Sequence, residues 1–261
     1  MENEEDNFSD LLKIIVDEMD IEELAWTYDY MGRNPLNQNS TIKKLKLFNF
    51  PEFGSNYVKL QQLQAVEELD VDWSNSLNIE RFFEFIHYHM PLLRTLTIRG
   101  GEIYVDNDRD TLDDEYEFKA LQVETLNIRA YPIEVYALPR DEIEDRMMFM
   151  TCAPNIKRLI VSGGYLHDFV NLSAEEFKVI LKSLVKLKEF VCRGTIEIDD
   201  EVPTLLLQSK LRHITIEYDS ENLTKAVMTC ENLEAASAQL NVAKKLVTLE
   251  TWNDVGNELY D

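Results

Sequence analysis

Basic residues are scarce in this chain. It has 26 Lys and Arg against 49 Asp and Glu, a formal net charge of -23. A surface this acidic repels nucleic-acid phosphates and anionic lipid headgroups. Direct nucleic-acid binding is disfavoured unless positive charge is concentrated locally, and basic or mixed-charge protein partners are favoured. Cysteine is almost missing: Cys152, Cys192 and Cys230 are odd in number and widely spaced. There is no CxxC and no Cys/His cluster, which excludes the usual zinc spacings. All three thiols lie in or beside apolar phrases and read as buried and reduced. No apolar run approaches the ~20 residues that span a bilayer. The first residues, MENEEDNFSD, are acidic and contain no apolar signal core. These features lead us to expect a cytoplasmic or nuclear protein with no membrane contact.

Catalytic and metal motifs are missing too. There is no serine-histidine-acid set, P-loop or HExxH. His87 and His89 stand two apart on a predicted helix and face different sides, so they do not form a metal pair. The acidic stretch YVDNDRDTLDDEYE, residues 104–117, lacks the central glycine and terminal glutamate of a calcium loop. It reads as a solvated loop, and so does EIDDE at 197–201. We expect no enzymatic activity, cofactor or metal.

Repetition is what the sequence has. LLRTLTIRGG at 92–101 and NIKRLIVSGG at 155–164 follow one template, apolar-x-x-apolar-x-apolar, and each ends in a glycine pair. The template also fits Ile42/Leu45/Leu47, Val66/Leu69/Val71, Val123/Leu126/Ile128, Leu187/Phe190/Cys192 and Leu211/Ile214/Ile216. Leu233/Ala236/Ala238 is a weaker copy, and Leu246 with Leu249 is weaker still. The last positions of the seven clear copies are 47, 71, 98, 128, 161, 192 and 216, in steps of 24, 27, 30, 33, 31 and 24. The closing period-2 pair of each copy suits a short strand with one buried face. Between copies, residues 78–90 and 173–184 show helical apolar spacing. Ser173 precedes Glu176 at capping-box distance. Residues 220–230 repeat the helical pattern. One strand-turn-helix unit cannot bury its own apolar face, so the units must stack. The glycines at 100, 101, 163 and 164 let the chain turn off the strand, where positive φ is needed.

Seven such copies, from about Thr41 to Trp252, resemble the leucine-rich-repeat family. The resemblance implies an α/β solenoid (a horseshoe) of eight or nine coils, with a parallel concave sheet and a helical convex side. The irregular repeat lengths, and the lack of the asparagine that often closes the phrase, are similar to the repeats of F-box leucine-rich proteins. Phe8, Leu11, Leu12, Ile15, Met19 and Leu24 form an amphipathic helical pattern that loosely resembles the start of an F-box, although Ser9 stands where that family usually has proline. Residues 1–40 are therefore expected to be a helical N-terminal cap or an F-box-like segment, and residues 41–261 the solenoid. If F-box-like, Phe8, Leu12, Ile15, Met19 and Leu24 would hold a Skp-type adaptor.

The horseshoe resemblance implies that the residues between the buried apolar positions line the concave face. They include Asp70, Asp72, Arg99, Asn127, Arg129, Arg158, Arg193 and His213, with Trp73 next to them. Arg99, Arg129 and Arg193 fall at the equivalent place in three coils, and Arg158 sits close by. Arginine suits bidentate capture of carboxylate or phosphate. The competing expectation is that these arginines pair with loop acids such as Asp106, Asp108 and Asp110. The resemblance thus implies a protein-protein interaction module, monomeric outside its complex. Its most specific form is the substrate-recruiting subunit of a cullin-type ubiquitin ligase that binds an acidic or phosphorylated target. The alternative is a stand-alone acidic scaffold or inhibitor that binds a basic protein.

Overall fold

A computed structural model describes residues 21–27, 41–50, 63–73, 77–100, 103–106, 120–131, 134–136, 150, 152–163, 170–218 and 247–251. In chain order its elements are β1 (Glu23–Thr27), β2 (Lys44–Phe50), β3 (Glu68–Trp73), β4 (Leu77–Asn78), α1 (Ile79–His89), β5 (Thr95–Gly100), β6 (Ile103–Asp106), β7 (Thr125–Tyr131), β8 (Glu134–Tyr136), β9 (Arg158–Gly163), β10 (Val170–Leu172), α2 (Ala174–Ser183), β11 (Glu189–Ile196), α3 (Val202–Gln208), β12 (His213–Tyr218) and β13 (Val247–Thr251). The main sheet runs β1-β2-β3-β5-β7-β9-β11-β12-β13, and a small second sheet runs β4-β6-β8. All the pairings are parallel. Neighbours in the main sheet follow chain order, so the chain advances one strand spacing, ~4.8 Å, per turn. The fold is α/β with a repeat-built parallel sheet.

All seven clear copies of the template are strands of this sheet, in register. Leu47, Val71, Ile98, Ile128, Val161, Cys192 and Ile216 are successive Cα partners. None of them is more than 2% exposed. They join Phe82, Phe83 and Ile86 of α1 and Phe177, Ile180 and Leu181 of α2 in one core. Each fully buried side chain of this size contributes roughly 1.5–3 kcal/mol. The helices begin where the sequence placed them. Asn78 Oδ1 accepts from Arg81 N at 3.0 Å. Ser173 and Glu176 form the reciprocal capping box, with Ser173 N donating to Glu176 Oε2 at 2.9 Å. A cap of this kind contributes about 1 kcal/mol. α2 packs on α3.

The sheet starts earlier than expected. β1 pairs in parallel with β2 through Leu24↔Leu45 and Trp26↔Leu47, so Leu24 lies on a strand and not on a helix. The reason is its local period. Ile21-x-x-Leu24-x-Trp26 is itself a copy of the template, and half-burying Leu24 and Trp26 on an existing sheet outweighs continuing the helical spacing as far as Leu24. The repeat-built sheet therefore reaches into the segment 1–40 that the sequence assigned to a cap. At the other end, Ile216↔Leu249 makes the weak copy at 246–249 a ninth strand. The copy at 233–238 and the helical pattern at 220–230 lie outside the described residues. The layer across the core is mixed, with the strands β4, β6 and β8 beside the helices.

Glycine is indispensable at two corners. Gly100 has φ +106, and a Cβ there would sit 1.9 Å from the Trp73 carbonyl oxygen. Gly194 has φ +148, and its Cβ would meet the Val170 carbonyl oxygen at 2.0 Å. At Gly194, β11 leaves the main sheet and its last three residues pair with β10. Gly163 is not in the left-handed region, so the repeated glycine pair has different backbone work in its two copies. Gly101 and Gly164 lie outside the described residues.

A spine of backbone hydrogen bonds fixes the leading edge of the main sheet. One carbonyl in each turn accepts from two successive amides of the next. Glu22 O accepts from Lys43 N and Lys44 N at 2.8 and 2.9 Å. The pattern repeats at the carbonyls of Lys43, Glu67, Arg94, Glu124, Lys157 and Lys188. The residue that follows the first apolar position of each template is thereby held at one edge in every turn.

Candidate functional site on the outer face of the sheet

Side chains that alternate with the core row project from the other face of the main sheet. Their register sets which ones meet. Asp72, Arg99 and Arg129 are consecutive Cα partners on β3, β5 and β7. Asp70, Thr97 and Asn127 form the parallel row two residues earlier. On β9 and β11, Ser162 and Arg193 are partners. Arg129 and Arg193 are thus on strands separated by β9, which has Ser162 at this level, so the three expected arginines divide into an adjacent pair and a separate third. Arg158 is not beside them. It lies four residues before Ser162, about 13 Å along the strand.

Carboxylates on neighbouring strands answer two of these arginines. Arg99 Nε donates to Asp70 Oδ1 at 2.9 Å, and Arg99 Nη2 donates to Asp70 Oδ2. This is the bidentate fork geometry. Arg158 Nε lies 3.1 Å from Glu189 Oε1, on its Cα partner. Both Arg129 and Arg193 are half-buried. Asp108 and Asp110 lie outside the described residues. Asn127 is the unusual member of the face. It is only 8% exposed, and its Oδ1 accepts no hydrogen bond among the described residues. A buried acceptor without a donor is costly, so this atom is ready to accept from an incoming group.

Trp73 must be removed from the site. It is 1% exposed and packs edge-on to Phe82 with ring centroids 5.8 Å apart. The strand period explains the error: Leu69, Val71 and Trp73 share one face, and that face is the core. His213 is exposed at the start of β12, beside Glu189 in register. Asp72 is half-buried. Phe8, Leu12, Ile15 and Met19 lie outside the described residues. Leu24, half-buried on β1, packs on the core's edge.

A second polar cluster went unread in the sequence. Lys178 on α2 is 5% exposed, yet its Nζ reaches Glu175 Oε1 at 2.5 Å, Asp199 Oδ2 at 2.8 Å and Glu201 Oε2 at 3.3 Å. Hydrogen bonds to Asp199, then to Glu175, hold the ammonium well above its ordinary pKa against the opposing effect of burial. The same bond from Lys178 holds the Asp199 carboxyl below its usual range. For Glu201 the bond from Lys182 comes first and that from Lys178 second. Asp199 Oδ1 also accepts from Glu201 N and Val202 N at 3.0 and 3.1 Å, capping α3. EIDDE is thus a clamp between two helices and not merely a solvated loop. An acid near the start, with Pro203 in the first turn of α3, was the available signal.

These groups do not have the form of a metal centre. Among the described residues no cluster of three or more His, Cys, Asp or Glu has metal-binding geometry. His89 stacks against Phe85 at 4.7 Å, and burial pushes its pKa down. Cys152 and Cys192 are buried free thiols. No described helix is long and apolar enough to cross a membrane. No protein-family model matches this chain, and no curated protein matches it in sequence.

Proposed function

We propose that this chain is a leucine-rich-type solenoid without enzymatic activity that holds a protein partner on the outer, concave face of its main sheet. The observation that carries this reading is the registered face itself. Parallel strands fix Asp70, Asp72, Arg99, Asn127, Arg129 and Arg193 on a preformed surface. A rigid display of this kind lowers the ordering cost of docking. The partner's complementary groups are acidic or phosphorylated side chains for the arginines of this face, and a hydrogen-bond donor for Asn127 Oδ1.

The more specific form of this reading is an F-box-like subunit of a cullin-type ubiquitin ligase, with the adaptor held by Phe8, Leu12, Ile15 and Met19. Because β1 starts at Glu23, the adaptor segment would have to lie ahead of it. The second reading, a stand-alone scaffold for a basic protein, draws on the charge of -23 and on the use of Leu24 in the sheet. Titration of the full chain and of a chain lacking residues 1–20 against a purified Skp-type adaptor separates the two. The ligase reading expects binding that truncation abolishes. Absence of binding by the full chain leaves the scaffold.

A further inference from the structure

The backbone spine at the leading edge of the main sheet aligns one charged residue from each turn. In order they are Glu22, Lys43, Glu67, Arg94, Glu124, Lys157, Lys188 and Arg212. Through Lys157 the signs alternate, and neighbours attract. Lys43 Nζ is 2.5 Å from Glu22 Oε1, and Glu124 is shared between Arg94 at 3.9 Å and Lys157 at 2.8 Å. After Lys157 the alternation stops. Lys188 is the aligned neighbour of both Lys157 and Arg212, because Glu189 is the Cα partner of both Arg158 and His213. Two residues before Lys188 and Arg212 come Lys186 and Lys210.

Five exposed cations therefore occupy the edge of three successive turns: Lys157, Lys186, Lys188, Lys210 and Arg212. Lys157 is neutralised by Glu124, and Lys186 reaches Asn155 Oδ1 at 2.5 Å. Lys188, Lys210 and Arg212 have no carboxylate partner among the described residues. Like charges stacked at the strand spacing repel one another. That they cluster in a chain with a formal charge of -23 makes this rim the place where an anion is attracted.

We propose that the rim formed by Lys157, Lys186, Lys188, Lys210 and Arg212 is a docking surface for a short acidic segment of a partner protein. The surface is separate from the outer face and does not depend on what that face binds. Size and charge select the occupant. Three turns span about 10 Å along the rim, a length that four extended residues cover. An acidic run of that length begins and ends within the patch. A nucleic acid carries phosphates beyond it, onto the alternating half of the rim, where Glu124 and Glu67 stand.

The test is fluorescence anisotropy of the full-length protein with a labelled tetraglutamate peptide at about 50 mM salt, where surface charges are weakly screened. The peptide is expected to bind, with affinity falling as salt rises. Lys188→Glu with Arg212→Glu should weaken it at least tenfold, and Lys188→Gln with Arg212→Gln by a smaller factor, with melting temperatures unchanged. Lys43→Gln with Arg94→Gln, on the alternating half, should change it less than twofold. An oligothymidylate with eight phosphates should bind at least tenfold more weakly than the peptide. The proposal is overturned if the peptide does not bind, if the charge-reversed and wild-type proteins bind it equally, or if the oligonucleotide binds as tightly, which would make the rim a nucleic-acid surface.

Discussion

Along the inward row Leu47, Val71, Ile98, Ile128, Val161, Cys192 and Ile216, every position is apolar and at most 2% exposed. One residue further on the same strands, Asp72, Arg99, Arg129, Ser162 and Arg193 agree in neither charge nor size. The two rows share one backbone and one register, so geometry does not explain the difference. Each inward side chain must fill the space left by the turns on either side of it. That space is nearly the same in every turn, and the repeat is the result. Outward side chains meet solvent or a partner and are free to differ. The comparison separates what holds the fold from what the fold displays, and substitutions on the two sides should differ accordingly.

The largest effects belong to the inward side. Trp73→Ala should cost about 3–5 kcal/mol, the range for deleting a fully buried aromatic. Gly100→Ala should cost more than about 2 kcal/mol, since positive φ and the Trp73 carbonyl both oppose a Cβ. Denaturant titration reads both. A cost under about 1 kcal/mol in either would mean that the corner relaxes and that the inward row is less exacting than its burial implies.

The clamp around Lys178 lies between the two extremes, a buried lysine held by carboxylates that stay open to water. Asp199 and Glu201 have folded pKa values below their ordinary ones. The stability they add is fully present above their unfolded values of about 4, and it is lost as pH falls further, through the folded values. The protection of α3 amides, taken relative to their intrinsic exchange at each pH, should therefore fall below about pH 4, before the main sheet opens. Lys178→Met should shrink that acid step by deleting the shared partner, leaving the part due to Lys182 and to the Glu201 and Val202 amides. An α3 whose exchange tracks global unfolding at every pH would show that the clamp is not a separate unit.

What the sequence revealed follows the same division. Seven inward triplets were legible because burial imposes one residue class at a fixed spacing. The eighth, Ile21/Leu24/Trp26, fitted the same template but was absorbed into a longer helical pattern from Phe8. Trp73 was misplaced because it lies just past the counted template positions, although the period of two puts it with Val71. Arg99 and Arg129 were placed correctly as register neighbours. The partner of Arg99 was not, since Asp70 lies in another turn, 29 residues away, and only register brings it near. The alternating rim was in plain view as the charged residue after each first apolar position. Its meaning needed the backbone spine that aligns those residues.

On the outward side, Arg99→Gln with Arg129→Gln should cost about 1 kcal/mol or less. The Arg99–Asp70 pair keeps side-chain exposures of 35% and 20%, and ion pairs open to water contribute little. Partner binding on this face, measured by titration, should fall at least tenfold. A large stability loss would instead make the arginines part of the scaffold, and intact binding would remove them from the site.

Asn127 tests the division most finely, because it is buried like an inward residue but sits on the outward face. Its unmatched Oδ1 already costs the folded state the desolvation of a polar atom. Asn127→Leu removes that penalty while keeping most of the volume. Stability should stay within about 1 kcal/mol of wild type, with the change more often a gain than a loss. If the atom exists for a partner's donor, the gain in stability comes with weaker binding, and Asn127→Asp should preserve binding better than Asn127→Leu because it keeps an acceptor. A loss of more than about 2 kcal/mol on Asn127→Leu would mean that the amide is satisfied within the fold, and Asn127 would drop out of the partner-directed groups of the outward face.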